Sequence, residues 1–413
     1  MSSAIVTGAT GILGRQIVKQ LGQDPQKWKK VYALSRSKKI DYPSNVEHRH
    51  IDLTSDAKEM AKELEGVEAE YVFFAAYLQQ GSEQGSWNVN GAMFENFLSA
   101  LETTGAAKGI KRVLLVTGAK YYGVHLGPLK LPLREDDPRL EGAAWPPNFY
   151  YRQQDALQQF CARNPHASWV VTYPNDVIGF AEGNFMNLAT GVGLYAAISR
   201  ELDGGGDGGG GLVFPGSRDC YTRLDTFTSS KLHGRFCEWA ALEPRAANQA
   251  FNVVNGEPES WQSLWPRVAR RLGGRVRPDQ FAGEGRLPAR ADLAETVPVA
   301  AVADEVGLRG SLPPRGELAQ RISLAKWAQL DEVKKAWERL AEREGLRKDA
   351  LELATWEFVD FELGRNYDVV QSMTKARDFG WNGYCDTWKA LSDVFGELEA
   401  ASILPKTHRG DGN

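Results

Sequence analysis

The chain has 413 residues, of which 42% are hydrophobic and 25% charged, and a formal net charge of −4. That length and apolar content suit a large buried core and exclude a disordered or collagen-like chain; the slightly acidic balance gives no whole-chain attraction for nucleic acid or anionic lipid. No apolar run reaches the ~20 residues of a membrane-spanning helix, the N-terminus has no basic, apolar leader, and the four scattered cysteines suit reduced thiols in the cytoplasm rather than a disulfide or zinc framework.

Short β-rich runs then alternate with helical patterns. The runs Ala4–Val6, Val31–Leu34, Val46–Ile51, Tyr71–Ala75, Arg112–Val116 and Trp169–Tyr173 read as strands. Between them, helical patterns are predicted over Arg15–Leu21, Ala57–Glu65, Trp87–Thr103 and Phe149–Arg163. Near-continuous apolar strands such as VFFAA and VLLV imply burial on both faces of a sheet. The alternation implies parallel order with right-handed crossovers, an α/β doubly wound sheet. Further on, Met186–Arg200 and Trp261–Leu272 read as helices and Ala250–Val254 as a strand. The glycine run Asp203–Gly211 reads as a flexible insertion, since a phosphate cradle needs a preceding strand and a following helix. Residues 275–320 look like a long loop or a partly ordered connection, and a charged helical pattern occupies about 318–364. The expected organisation is a dinucleotide-binding domain over 1–180 with a strand contributed by 212–256. A smaller, mainly helical substrate lobe follows over 181–405, then a tail at 406–413.

The first strand runs directly into Thr7-Gly8-Ala9-Thr10-Gly11-Ile12-Leu13-Gly14, which opens a helix. Gly8 permits the tight turn, Gly11 lets a pyrophosphate approach the backbone, and Gly14 lets the helix pack close to the sheet. The helix N-terminus then faces the phosphates with free N–H groups. Thr10, Ile12 and Leu13 complete this loop, the mark of a Rossmann dinucleotide site. The second strand ends in Leu34-Ser35-Arg36-Ser37, with no acid to bind ribose hydroxyls. Arg36 suits a charge-assisted bond to a 2′-phosphate, with Ser35 and Ser37 as lesser donors, so NADP(H) is the expected cofactor. Asp52-Leu53 falls after the third strand, where a carboxylate can meet the adenine amino group or cap a helix.

The fifth strand is followed by Val116-Thr117-Gly118-Ala119-Lys120-Tyr121-Tyr122. The Ser and Tyr-x-x-x-Lys of ordinary short-chain dehydrogenases are missing: Gln154 and Asp155 stand where Lys would follow Tyr150 or Tyr151. Thr117-Gly118-x-Lys120-x-Tyr122 followed by Asn148-Phe149-Tyr150-Tyr151 instead resembles the atypical branch named for progesterone 5β-reductase and iridoid synthase. The resemblance continues through Pro174-Asn175-x-x-Ile178-Gly179-Phe180, Met186-Asn187-Leu188 and Tyr195-Ala196-Ala197-Ile198. It ends with Ala250-Phe251-Asn252-Val253-x-Asn255-Gly256 and Ser372-Met373-x-Lys375. It implies that Lys120 and Tyr150 are catalytic. It also implies that Ala76, Tyr77, Val116, Thr117, Pro174 and Val177 belong to the cofactor site.

Enzymes of that branch pass hydride from NADPH to the β-carbon of an enone or enal. Such 1,4-addition builds negative charge on the carbonyl oxygen, where a phenol can donate. Lys120 would lower that phenol's pKa or order the cofactor ribose. The resemblance further implies an apolar pocket from Phe149, Phe185, Met186, Trp356 and Phe358. The expected partner is therefore a small hydrophobic carbonyl compound, with no nucleic acid, no membrane and no metal. Base rates favour a homodimer. Two other readings stay open: 1,2-reduction of the carbonyl on the same scaffold, and a non-redox NADP-binding protein that steers a cyclisation or senses the cofactor. His48-Arg49-His50 puts two imidazoles on one strand face, a spacing a metal site could use, but with no third Cys or His near it in sequence it reads as a solvated or rim pair.

Overall fold

The computed structural model describes residues 1–37, 41–183, 186–204 and 211–407. Seven parallel strands form the central sheet: β1 (Ser2–Thr7), β2 (Trp28–Ser35), β3 (Val46–His50), β4 (Tyr71–Phe74), β5 (Arg112–Val116), β6 (Ser168–Pro174) and, after the short β7 (Val177–Ile178) and β8 (Thr228–Ser229), β9 (Gln249–Val253). Their order is β3-β2-β1-β4-β5-β6-β9. The chain reverses its direction of winding between β1 and β4, and the crevice outside the strand ends there is where this architecture binds ligands.

The crossovers are helical: α1 (Ile12–Gly22), α2 (Ala57–Glu63), α3 (Glu83–Thr103) and α4 (Phe149–Arg163). Strand alternation distributes the apolar side chains to two layers. Val72 and Phe74 of β4, with Val113 and Leu115 of β5, pack toward α3, whereas Phe73 and Leu114 pack on the opposite face with Ile17 and Val18 of α1. Each face therefore carries its own core, as the unbroken apolar strands require.

After α5 (Leu188–Leu202) and α6 (Arg218–Thr222) comes α7 (Ser230–Leu242), the clearest departure from expectation. Its sequence, SKLHGRFCEWAAL, mixes charges and a glycine into the pattern, yet Leu232, Phe236 and Cys237 are buried against the α1 side of the sheet. Gly234 allows the close approach: a Cβ there would come within 2.9 Å of the Gln16 carbonyl oxygen. The helix α8 (Trp261–Arg271) matches expectation, but the 275–320 stretch is not simply a loop. It contains β10 (Ala289–Asp292) and β11 (Glu317–Gln320), an antiparallel pair whose ARAD and ELAQ sequences carry no β-branched signal.

The remaining helices are α9 (Leu324–Trp327), α10 (Asp331–Glu344), α11 (Ala350–Leu353), α12 (Trp356–Gly364), α13 (Thr374–Asp378) and α14 (Thr387–Ala400). Apart from α13, whose Ala376 packs with the sheet, they enclose with α5 and α8 a third core around Trp265, Trp327, Trp337 and Phe395. Residues 205–210 of the glycine run and 408–413 of the tail lie outside the described residues. Among the described residues, no helix is long and apolar enough to cross a membrane. Cys161, Cys220 and Cys237 are buried free thiols, and Cys385 is half-buried.

Candidate active site

Gly8 has φ +62°, and a Cβ on it would come within 2.5 Å of the Ala75 carbonyl oxygen at the end of β4. A Cβ on Gly14 would meet the Gly8 carbonyl oxygen at 2.1 Å, so both positions exclude side chains. Gly11 begins α1 with no side-chain cap. The first N–H groups of an eleven-residue helix therefore point outward without an intrahelical partner. Gly8, Thr10, Gly11, Ile12 and Leu13 line a cleft there, and Gly14 packs behind it. Uncapped amides facing this cleft, above a turn that Gly8 and Gly14 let close tightly, fit a pyrophosphate.

The same cleft runs along the ends of β2 and β3, where Ser35, Arg36, Asp52 and Leu53 line it. Arg36 is exposed. Ser35 is buried, its Oγ donating to the Ser37 carbonyl at 2.9 Å and lying 3.1 Å from His48 Nε2. Ser37 contributes through that carbonyl and does not line the cleft. Asp52 accepts from Thr54 N–H at 3.0 Å and from the Thr54 hydroxyl at 2.7 Å. These bonds, with Arg36 nearby, hold its carboxyl below the usual range, so it presents an anionic acceptor. The two histidines of β3 go separate ways, His48 to Ser35 and His50 to Glu63 at 2.9 Å.

At the other end, β4 delivers Ala75, Ala76 and Tyr77, and β5 delivers Val116 and Thr117, all lining the cleft. Thr117 is held by its own hydroxyl, which donates to the Thr172 carbonyl at 2.9 Å. Tyr150 reaches the cleft from the first turn of α4, whose start is fixed by Asn148. Oδ1 of Asn148 accepts from Tyr150 N–H at 3.1 Å, and its amide donates to the Lys120 carbonyl at 2.9 Å. One side chain thus ties the turn after β5 to the helix carrying the phenol. Burial pushes the Tyr150 phenol well above the usual tyrosine range, and Tyr77 and Glu83 add to the effect. Burial and Glu83 likewise push Tyr77 up to about 12.

Lys120 behaves differently from expectation. Its ammonium does not line the cleft but lies 2.6 and 2.5 Å from the two carboxylate oxygens of Glu83. The Tyr150 phenol is raised rather than lowered: burial is the main cause, and the nearby Tyr77 and Glu83 push the same way. Phe149 and Met186 do line the cleft, as does Val177; Pro174 lies just behind, its carbonyl facing Gly118. Phe185 lies outside the described residues. Trp356 and Phe358 belong to α12, away from this space. Trp356 is buried with its indole N–H donating to the Leu351 carbonyl at 3.0 Å, and Phe358 packs on the helical core. Helical periodicity says which face is apolar and not which cavity it meets. Sequence reading missed Glu83, Leu78, Met93 and Gln153. The signal for Glu83 is the Ser82 N-cap, which starts α3 four residues before the predicted Trp87.

The floor beside Val177 is braced from the helical side. Arg365 is fully buried and contacts Asp176 at 2.5 Å, Asp225 at 3.1 Å and Glu362. Asp176 has φ +33°, a strained backbone for a residue with a side chain. Burial pushes the carboxyls of Asp176 and Asp225 up, against the pull of Arg365 and Arg223.

The strand order, the glycine turn and the cleft define a Rossmann-fold protein of the short-chain dehydrogenase/reductase type. More narrowly, the description "PRISE-like Rossmann-fold domain" matches residues 18–309, and the chain belongs to that family. It is 38% identical over 408 residues to an uncharacterized protein of Schizosaccharomyces pombe, covering 98% of each chain. It is 30% identical over 413 residues to a short chain dehydrogenase of Penicillium aethiopicum, covering 98% of this chain and 99% of that one. To the 3-oxo-Delta(4,5)-steroid 5-beta-reductase of Arabidopsis thaliana it is 26% identical over 420 residues, covering 98% of this chain and 93% of that one.

Proposed function

We propose that the protein is an NADPH-dependent reductase of the C=C bond in small hydrophobic α,β-unsaturated aldehydes or ketones. The observation that carries this reading is that the Tyr150 phenol and the uncapped glycine turn line one continuous cleft. Gly8 to Leu13 would hold the pyrophosphate, Arg36 the 2′-phosphate and Asp52 the adenine amino group. When bound, the reduced cofactor supplies hydride, which bonds to the β-carbon as the π electrons move onto the carbonyl oxygen.

The chain's own part is to stabilise that oxygen. Tyr150 keeps its proton because burial disfavours the phenolate, so it donates a hydrogen bond where negative charge collects. A preorganised donor of this kind contributes roughly 3–4 kcal/mol to the transition state. A solvent proton then completes the saturated product. Val116, Leu78, Phe149 and Met186 give the space an apolar lining suited to a hydrocarbon skeleton. The name of the Arabidopsis relative, a 3-oxo-steroid 5β-reductase, supports the same class of reaction.

The test is NADPH oxidation in the presence of a panel of small enones and enals, with wild-type protein and Tyr150→Phe. The reading expects turnover of at least one such compound and its near-complete loss in the variant. Full turnover in Tyr150→Phe would remove the phenol from the chemistry.

A further inference from the structure

Lys120 is fixed at both ends. Asn148 binds its carbonyl oxygen at 2.9 Å. Its ammonium lies 2.6 and 2.5 Å from Glu83 and 5.8 Å from the centroid of the Phe149 ring. Phe149 lines the cleft and Lys120 does not, so the cation meets the cleft wall through this aromatic ring.

Glu83 is well placed to act as an anchor. It is the first residue of α3, directly after Ser82, whose Oγ accepts from Gly85 N–H at 3.0 Å. It stands in the first turn of a 21-residue helix, where the positive end of the helix dipole attracts a carboxylate. The other titratable neighbour is His125, with Nε2 3.9 Å from Glu83. Burial and the Lys120 charge push that imidazole well below its usual range, so it stays neutral and cannot replace either partner. Tyr77 and Tyr150 complete the surroundings, and the Glu83 charge disfavours the phenolate form of both.

We propose that Glu83 is the positioning residue of this site. It clamps Lys120 behind Phe149, offsets its charge, and leaves the uncharged Tyr150 hydroxyl as the group that faces the substrate oxygen. Removing the clamp would set a cation loose beside the phenol, where it favours phenolate and weakens the donor. The clamp also keeps the substrate end of the cleft from attracting anions. The proposal rests on reading Tyr150 as the hydrogen-bond donor, so its test needs one readout that does not depend on turnover.

The variants are Glu83→Gln, Glu83→Asp, Lys120→Met and the Glu83→Gln/Lys120→Met pair, each checked for an unchanged cooperative melt. The first readout is acetylation of Lys120 by acetic anhydride, followed by mass spectrometry against the exposed Lys108. A released ammonium should react roughly fivefold faster in Glu83→Gln, with Glu83→Asp restoring much of the protection. The second readout is turnover of an enone. Glu83→Gln should lose roughly tenfold in kcat with little change in KM for NADPH. Its alkaline limb should also move to lower pH. The double variant should lose far less than the product of the two single losses, because the larger part of the Glu83 effect passes through Lys120. Unchanged Lys120 acetylation in Glu83→Gln would overturn the clamp. Multiplied losses in the double variant would overturn the claim that Glu83 acts through Lys120. Faster acetylation with no wild-type turnover of any enone would support the clamp and overturn the reading of Tyr150, which separates the two.

Discussion

Gly118 lies against the hydroxyl of Tyr150. A Cβ built on Gly118 would stand 3.3 Å from Tyr150 Oη and 3.4 Å from the Pro174 carbonyl oxygen. The backbone at Gly118 is extended, with φ 174°, so an alanine meets no conformational penalty there. The glycine is required by space alone. Gly118→Ala is expected to fold normally, bind cofactor normally and lower kcat by roughly tenfold by displacing the phenol a few tenths of an ångström. Crystal structure and kinetics of the variant check this together; an unchanged kcat with a shifted hydroxyl would contradict the role given to Tyr150.

The pH profile should be flat where an activated phenolate would titrate. In the proposed mechanism Tyr150 acts in its protonated form, and its phenol is raised above the ordinary value of 10.0. Activity carried by a raised acid persists as pH rises and is lost only when pH passes the raised value. The kcat of the wild type should therefore show no alkaline fall assignable to Tyr150 up to about pH 10. A limb near pH 8 or 9 that vanishes in Tyr150→Phe would mean that the phenol is activated and not neutral.

The proposed preference for NADPH over NADH rests on Arg36. A charge-assisted bond of this kind contributes roughly 1.5–3 kcal/mol. Arg36→Ala should weaken NADPH binding by about 10- to 150-fold and leave NADH affinity nearly untouched. Fluorescence titration with both cofactors measures it. Equal losses for the two would show that Arg36 supports the loop and does not read the 2′-phosphate.

Arg365 should be a stability residue. It is 0% exposed and neutralises carboxylates from three segments, Asp176, Asp225 and Glu362. Removing one partner of a buried ionic cluster leaves charges unpaired and costs about 3–5 kcal/mol. Arg365→Met should lower denaturant stability by that order. It should also raise KM, because Asp176 precedes the cleft-lining Val177. Denaturant unfolding monitored by circular dichroism gives the first quantity and steady-state kinetics the second.

The parts of this architecture that were legible in the chain are those with short-range causes. Arg112–Val116 and Phe149–Arg163 are found at their predicted limits, the first because an apolar run fills both sheet faces, the second because Asn148 is a strong N-cap. The glycine loop was legible because strand, turn and helix are contiguous. What was not legible depends on distant partners. Helix α7 finds its buried face against the sheet and against α1, which lies more than 200 residues earlier. The Glu83–Lys120 pair joins residues 37 apart in sequence. Trp356 and Phe358 show the reverse limit: their apolar character was read correctly, but the cavity they fill is the helical core.

The most direct test of the central claim is the fate of the transferred hydrogen. The protein is incubated with NADPH carrying deuterium at the transferable position and with a small enone such as 2-cyclohexen-1-one, and the product is examined by NMR. Deuterium on the β-carbon, with the carbonyl intact, is the predicted result. Deuterium on the carbonyl carbon of an allylic alcohol would contradict the account and identify a 1,2-reductase on the same scaffold.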